Sequence, residues 1–338
     1  MTMLARATLV LAEHRPETVP HAAALMRDHD AVFLEELPDG SFQQMLRGDV
    51  PVEEYVLTLD AEYPAFIHSM CLALRELSGM GIAIYQVEPY LDHLVAIHEF
   101  FSSGGSPENL DPHHVQYEVY LAEKQATAAL LEFYKTATAG SFEETLESVK
   151  RFARVDSRRF LVRDQMRAEA LAPMIRRFKK SYIEAGQIHY VLWRMLRQNV
   201  GNSITVRPHF LMGGTVKSMR ISRHLYGPGD ILTLRYILHP DLPGPMEDLL
   251  AVRALIYNKL IRKDEMADGN EHYPHIRDEL QVIKVVQQLT LKKCAGLFPL
   301  LRKVTTDQAR AVVAHLLMSA GGKAFPGPES NSQGDSIF

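Results

Sequence analysis

Four short apolar runs recur between amphipathic stretches in the first two hundred residues. Ala7–Leu11 (ATLVL), Ala31–Leu34 (AVFL) and Gly81–Val87 (GIAIYQV) are apolar and partly β-branched. Tyr182-Ile183 is a shorter run that ends at Glu184. Runs of this kind suit strands buried on both faces. Between them the apolar residues return at helical spacing. They predict helices from Pro16 to about Arg27, Val52 to Leu77, Leu91 to Phe101, Val115 to Tyr134, Phe142 to Phe152 and Arg158 to Lys180. The last is expected to break or kink near Pro173. Pro38-Asp39-Gly40, TATAGS and residues Ser102–His114 read as breaks and loops. Strand and helix alternate, which predicts an α/β fold: a largely parallel or mixed sheet flanked by helices, with right-handed crossovers.

After Asn202 the pattern changes. SITVRPHFLM and DILTLRYIL read as β-rich segments on either side of the turn sequence RHLYGPGD, hence as a β-hairpin. Met246 to Ile261 and Ile276 to Met318 are helical by spacing. The division this implies is a site-bearing α/β domain over 1–200 and a β-hairpin and helical extension packed on it over 201–320. From Gly321 the chain is rich in Gly, Ser and Pro, which predicts a disordered tail over 321–338.

The strand-like runs share a feature of chemical interest. Glu13 and His14 follow the first, Glu35 and Glu36 the second, Glu88 the third, and Glu184 ends the fourth. Ala185-Gly186 then turns the chain, the glycine being expected where a Cβ would clash, and His189 opens the next helix. In a parallel sheet those ends lie on one edge, where α/β proteins bind their ligands. Carboxylates and two histidines at one site suit a divalent metal with an activated water, or general acid–base work. Acids that follow strands are also ordinary solvated residues or helix caps, and that reading stands beside the functional one.

Composition narrows the classes. The chain has 338 residues, 46% hydrophobic and 23% charged, with a formal net charge of −4. That charge gives no electrostatic reason to expect nucleic acid or an anionic membrane as partner. No apolar run approaches the roughly 20 residues of a membrane span. The N-terminus reads as a first strand and not a signal peptide. Cys71 and Cys294, the two cysteines, lie in apolar helical contexts and are expected to be buried and inert. A cytoplasmic protein is the expectation. No HExxH, P-loop, GxSxG or GxGxxG motif occurs.

The pieces AEHRPET (Ala12–Thr18), AVFLEE (Ala31–Glu36), Arg163-Asp164 and AGQIH (Ala185–His189) together resemble the TraB/Tiki/ChaN/erythromycin-esterase-like superfamily. The resemblance covers about Ala7 to Arg197. It implies an α/β fold whose two histidines and glutamate form a site, a metal-dependent hydrolase in several branches, a haem-iron binder in one and a macrolide esterase in another. One departure is Leu11, where that superfamily usually has glycine three residues before the first histidine.

The reading that follows is a hydrolase, metal-assisted in one form, acting on an ester, amide or peptide bond of a small-molecule or peptide substrate. His14, His189 and Glu35 are the candidate ligands for Mn, Fe, Co or Zn. Glu13, Glu35, Glu36, Glu88, Arg163 and Glu184 are the candidate catalytic residues. Arg163 either belongs to a solvated basic stripe with Arg159 and Arg167, or holds a carboxylate or substrate oxyanion. The alternative is a non-catalytic protein that binds a ligand or cofactor, haem or metal, in the same strand-end pocket. The apolar C-terminal helices offer a surface for a homo-oligomer.

Overall fold

In the first strand, β1 (Ala5–Ala12), successive apolar side chains face opposite sides of a sheet, so both sides need cover. The structure, a computed structural model, describes residues 5–59, 62–219, 224–240, 244, 246–266, 272–319 and 325. Strand β1 pairs in parallel with β4 (Lys180–Gly186) and with β5 (Ile204–Phe210). Strand β2 (Ala31–Leu34) pairs in parallel with β4 and with β3 (Ala83–Gln86). The order is β3-β2-β4-β1-β5, all parallel and flanked by helices: the expected α/β fold.

One face of the sheet, with Leu9, Leu11, Phe33 and Ile183, packs on the end of a long helix, α7 (Phe142–Ile175), and on α8 (Tyr190–Val200). The other face, with Val10, Val32, Leu34 and Tyr182, packs on α1 (Val19–Met26), α2 (Gly40–Arg47) and α4 (Pro64–Gly79). Two further elements complete this half: α3 (Val52–Leu57) and α5 (Pro89–Ser102). Helix α6 (Val115–Ala139) runs beside α7.

The C-terminal helices are α10 (Pro228–Leu238), α11 (Met246–Leu260), α12 (Pro274–Gln287), α13 (Leu291–Leu301) and α14 (Thr306–Ser319), with a short α9 (Gly213–Ser218) before them. They form an apolar cluster of their own that includes Leu146, Val149 and Ala153 of α7. Helix α12 has two buried sides. Ile276, Leu280 and Ile283 join the core beneath the sheet, while Val282, Val285 and Val286 join the C-terminal cluster. At about 1.5 Å per residue, α7 is about 50 Å long, enough to run from one cluster to the other.

Several expected elements differ. DILTLRYIL is helix α10, not a strand, so there is no hairpin among the described residues. Pro228 at the first helical position and Asp230, whose Oδ2 accepts from Gly227 N at 2.8 Å, are helix-start signals. Its buried Leu232, Thr233, Tyr236 and Ile237 recur at helical spacing, which outweighs their β-branching. The other half of the expected hairpin is β5, an edge strand of the main sheet, where Pro208 needs no inward N–H. The single helix expected over Val52–Leu77 is two, because Pro64 starts a new one. The helices expected over 142–152 and 158–180 are one, α7, with Pro173 in its last turn. Helix α6 absorbs the first four residues of TATAGS, and Ser141 and Glu144 cap α7 reciprocally, at 3.1 and 2.7 Å. Arg223, which opens the expected turn, and the tail over 321–338 apart from Phe325 lie outside the described residues. Cys71 and Cys294 are buried and free. Among the described residues, no helix is long and apolar enough to cross a membrane.

Candidate functional site

Because all five strands run the same way, their carboxyl ends share one edge. Glu35 leaves β2, Glu88 caps the start of α5 after β3, and His189 caps the start of α8 after β4. Strand β4 continues through Gly186, so the turn lies at 187–189 and not at Ala185-Gly186 as expected. A Cβ on Gly186 would come to 3.5 Å of His189 Cδ2, an ordinary contact, so the anticipated clash is absent. What Gly186 supplies is its amide, which donates to Glu35 Oε2 at 2.7 Å.

Beneath the edge lies a buried ion network. His189 Nε2 is 3.0 Å from Glu35 Oε1, and His189 Nδ1 bonds Asp164 Oδ1. Arg163 Nη2 bridges Glu35 Oε1 at 3.2 Å and Glu88 Oε2 at 3.1 Å. Arg167, fully buried, donates from Nε to Val87 O at 2.9 Å and lies 3.8 Å from both Glu35 and Glu88. Three carboxylates (Glu35, Glu88, Asp164) therefore face three cations (Arg163, Arg167, His189). Balance of this kind is what makes charge tolerable in a core. Burial opposes ionisation of Glu35, but His189, Arg167 and Arg163 outweigh it and hold its carboxyl well below the usual range. Burial likewise disfavours a charged His189, yet Glu35 and Asp164 raise it to about 9. The ring is accordingly an imidazolium at neutral pH, donating on both sides.

Beside the network stand His14, which is exposed, and Glu184, which is buried. Glu184 Oε2 accepts from Glu35 N at 3.4 Å, and Glu184 Oε1 lies 3.9 Å from His14 Nε2. The His14 side chain is 42% exposed and stacks on Phe66 with ring centroids 5.1 Å apart. Glu36 accepts from Gln86 Nε2 at 2.9 Å, and burial together with the nearby Glu184 charge pushes its carboxyl up to about 7. Glu13 Oε1 accepts from Gln187 Nε2 at 2.8 Å. His14 and Glu13 also line a cleft of about 530 Å³ that opens toward α10, α11 and α12.

The strand-end candidates thus fall into two tiers. Glu35, Glu88, Arg163 and His189 are joined in the network, while Glu13, His14, Glu36 and Glu184 stand over it. A solvated stripe of Arg159, Arg163 and Arg167 is not what forms. Arg159 pairs with Asp156 at 2.7 Å and the other two point inward. Arg167 and Gln187 carry no distinguishing local signal. The four-residue step from Arg163 to Arg167 was legible, but its inward direction depends on what covers that face of α7.

The expected metal ligands do not assemble as a ligand set. Both ring nitrogens of His189 are committed to carboxylates. Among the described residues, no three His, Cys, Asp or Glu side chains converge so as to hold a metal ion.

No protein-family model matches the chain, and no solved structure matches it. An uncharacterised protein of Archaeoglobus fulgidus is 28% identical over 293 residues, spanning 86% of this chain and 97% of that one.

Proposed function

We propose that the protein is a hydrolase of an ester, amide or peptide bond, with His14, Glu184 and Glu36 at the reacting centre. The observation that carries this reading is half-exposed His14 with its Nε2 3.9 Å from Glu184 Oε1, next to a Glu35 whose amide donates to Glu184 at 3.4 Å and whose carboxylate lies 3.0 Å from buried His189. In it, Glu184 orients the His14 imidazole, which takes the proton of an attacking water. Glu36, still partly protonated at neutral pH, donates to the leaving group. Arg163 and Arg167 touch protein carboxylates and, for Arg167, the Val87 carbonyl, so they are positioning residues that hold Glu35 and Glu88 in place. The metal-assisted form gains no support from the arrangement of donors, and no step is routed through a metal.

The test is a panel of chromogenic esters, amides and peptides assayed against the wild type and His14→Ala, Glu36→Gln and Glu184→Gln. Loss of a positioned acid or base lowers turnover by about 10²- to 10⁴-fold. Hydrolysis that survives all three substitutions refutes the assignment. A panel without turnover favours the alternative reading of a ligand-binding pocket at the same edge.

A further inference from the structure

Between α6, α7, α11 and α13 lies a pocket of about 610 Å³ that the hydrolase reading does not use. Sites for small organic ligands run from roughly 300 to 1,000 Å³. Its walls are apolar and largely aromatic, with Phe133 from α6, Phe152 from α7, Leu255 and Ile256 from α11, and Phe298 and Leu301 from α13. Tyr134, which also lines it, is 55% exposed, so the pocket meets solvent on that side.

The charges in this wall are of one sign. Lys259, Lys263 and Arg302 line it, and among the described residues no aspartate or glutamate does. The chain carries 41 acidic residues against 37 lysines and arginines, so three cations without an acid depart from its general mix. Arg302 is spent on structure. Its guanidinium donates to Thr136 O at 3.0 Å, to Ala137 O at 3.1 Å and to Gly140 O, and lies 4.7 Å over the Phe298 ring. The two lysines are not so engaged. Lys259 Nζ donates to Arg302 O at 3.0 Å, which leaves two of its N–H groups to offer. Lys263 has neither hydrogen bond nor ion pair among the described residues. Ammonium groups set in an apolar wall fit an amphiphile with an anionic head: the rings and leucines cover its chain, and the lysines hold its charge.

We propose that this pocket binds a medium-chain aliphatic acid, with Lys259 and Lys263 on the carboxylate and Phe133, Phe152 and Phe298 around the chain. A cationic amphiphile meets repulsion there. A small hydrophilic anion lacks the apolar surface that supplies most of the affinity. Of the lining, Lys263 alone also borders the cleft beside His14, so the site is distinct from the proposed reacting centre and does not depend on the hydrolase reading.

The probes are octanoate, butyrate, octan-1-ol and octylammonium, each titrated as monomer into the full-length protein at neutral pH and followed by calorimetry. Octanoate binds. Butyrate binds roughly a hundredfold more weakly, because each buried methylene contributes about three- to fourfold. Octanol, without the charge-assisted contacts, binds about tenfold more weakly, and octylammonium does not bind. The double variant Lys259→Gln/Lys263→Gln lowers octanoate to the level of octanol and leaves octanol unchanged. The glutamine amide at position 259 still offers a donor to Arg302 O, and an unchanged thermal melt verifies the fold. Ala137→Phe, which fills the pocket from α6, abolishes binding of both. Equal binding of octanoate and octylammonium, or unchanged octanoate affinity in the double lysine variant, overturns the proposal. Absence of octanoate binding overturns it as well, whether the face then proves to hold phosphatidylglycerol vesicles in co-sedimentation or a second copy of the chain in light scattering.

Discussion

Replacing Arg167 by methionine tests the buried network most directly. The side chain is fully buried, holds Val87 O at 2.9 Å and lies 3.8 Å from both Glu35 and Glu88. Methionine keeps an apolar stem of similar reach but removes the charge. Three carboxylates are then left with two cations. Removing one partner of a buried ion pair costs about 3–5 kcal/mol, because the surviving charge is stranded in low dielectric. Adding Glu88→Gln restores the balance, two against two, so the double variant should be less damaged than the two single effects predict. Coupling among such neighbours is about 0.5–3 kcal/mol. The assay is urea unfolding of all four proteins followed by circular dichroism, compared at constant slope. If Arg167→Met costs less than about 1 kcal/mol, as an exposed pair would, or if the two effects simply add, the account of a mutually dependent network is wrong.

Two further outcomes follow from the same structure. His189 is raised from its ordinary value to about 9, so its contribution is complete below about pH 6.5 and is lost as pH rises through 9. A shift of that size corresponds to about 3 kcal/mol. The stability difference between wild type and His189→Gln should therefore narrow from pH 6.5 to 9, and a constant difference across that range refutes it. A chain truncated after Asn202 loses β5 and the apolar residues Ile276, Leu280 and Ile283 that complete the core beneath the sheet. It should be insoluble or melt without cooperativity, and a sharp thermal transition in the truncated protein shows instead that the first half folds alone.

How far the sequence alone reaches can be read from particular residues. AVFL and ATLVL are legible as doubly buried strands because burial on both faces leaves no polar alternation, and Ala31–Leu34 is a strand with those bounds. A parallel sheet then fixes by topology that Glu13, Glu35, Glu88 and His189 share an edge, whatever the strand order. DILTLRYIL misled because β-branched residues fit a buried helix as well as a strand, and only its packing against α7 and α11 decides between them. The strand order β3-β2-β4-β1-β5 was likewise not written locally, since pairing depends on which helices fill the two faces. The same holds at the site. Which acids join the buried, balanced network and which stay outside it is set by the inward side of α7, which brings Arg163 and Arg167 against Glu88, 75 or more positions away, and against Glu35, farther still, and sets Asp164 on His189, 25 positions along the chain. The convergence of Asp230 and Glu279 with Glu13 on the cleft beside His14 has no trace in spacing or motif. It exists because α10 and α12 pack over the end of β1, and electrostatic strength depends on distance and burial, which a sequence does not carry.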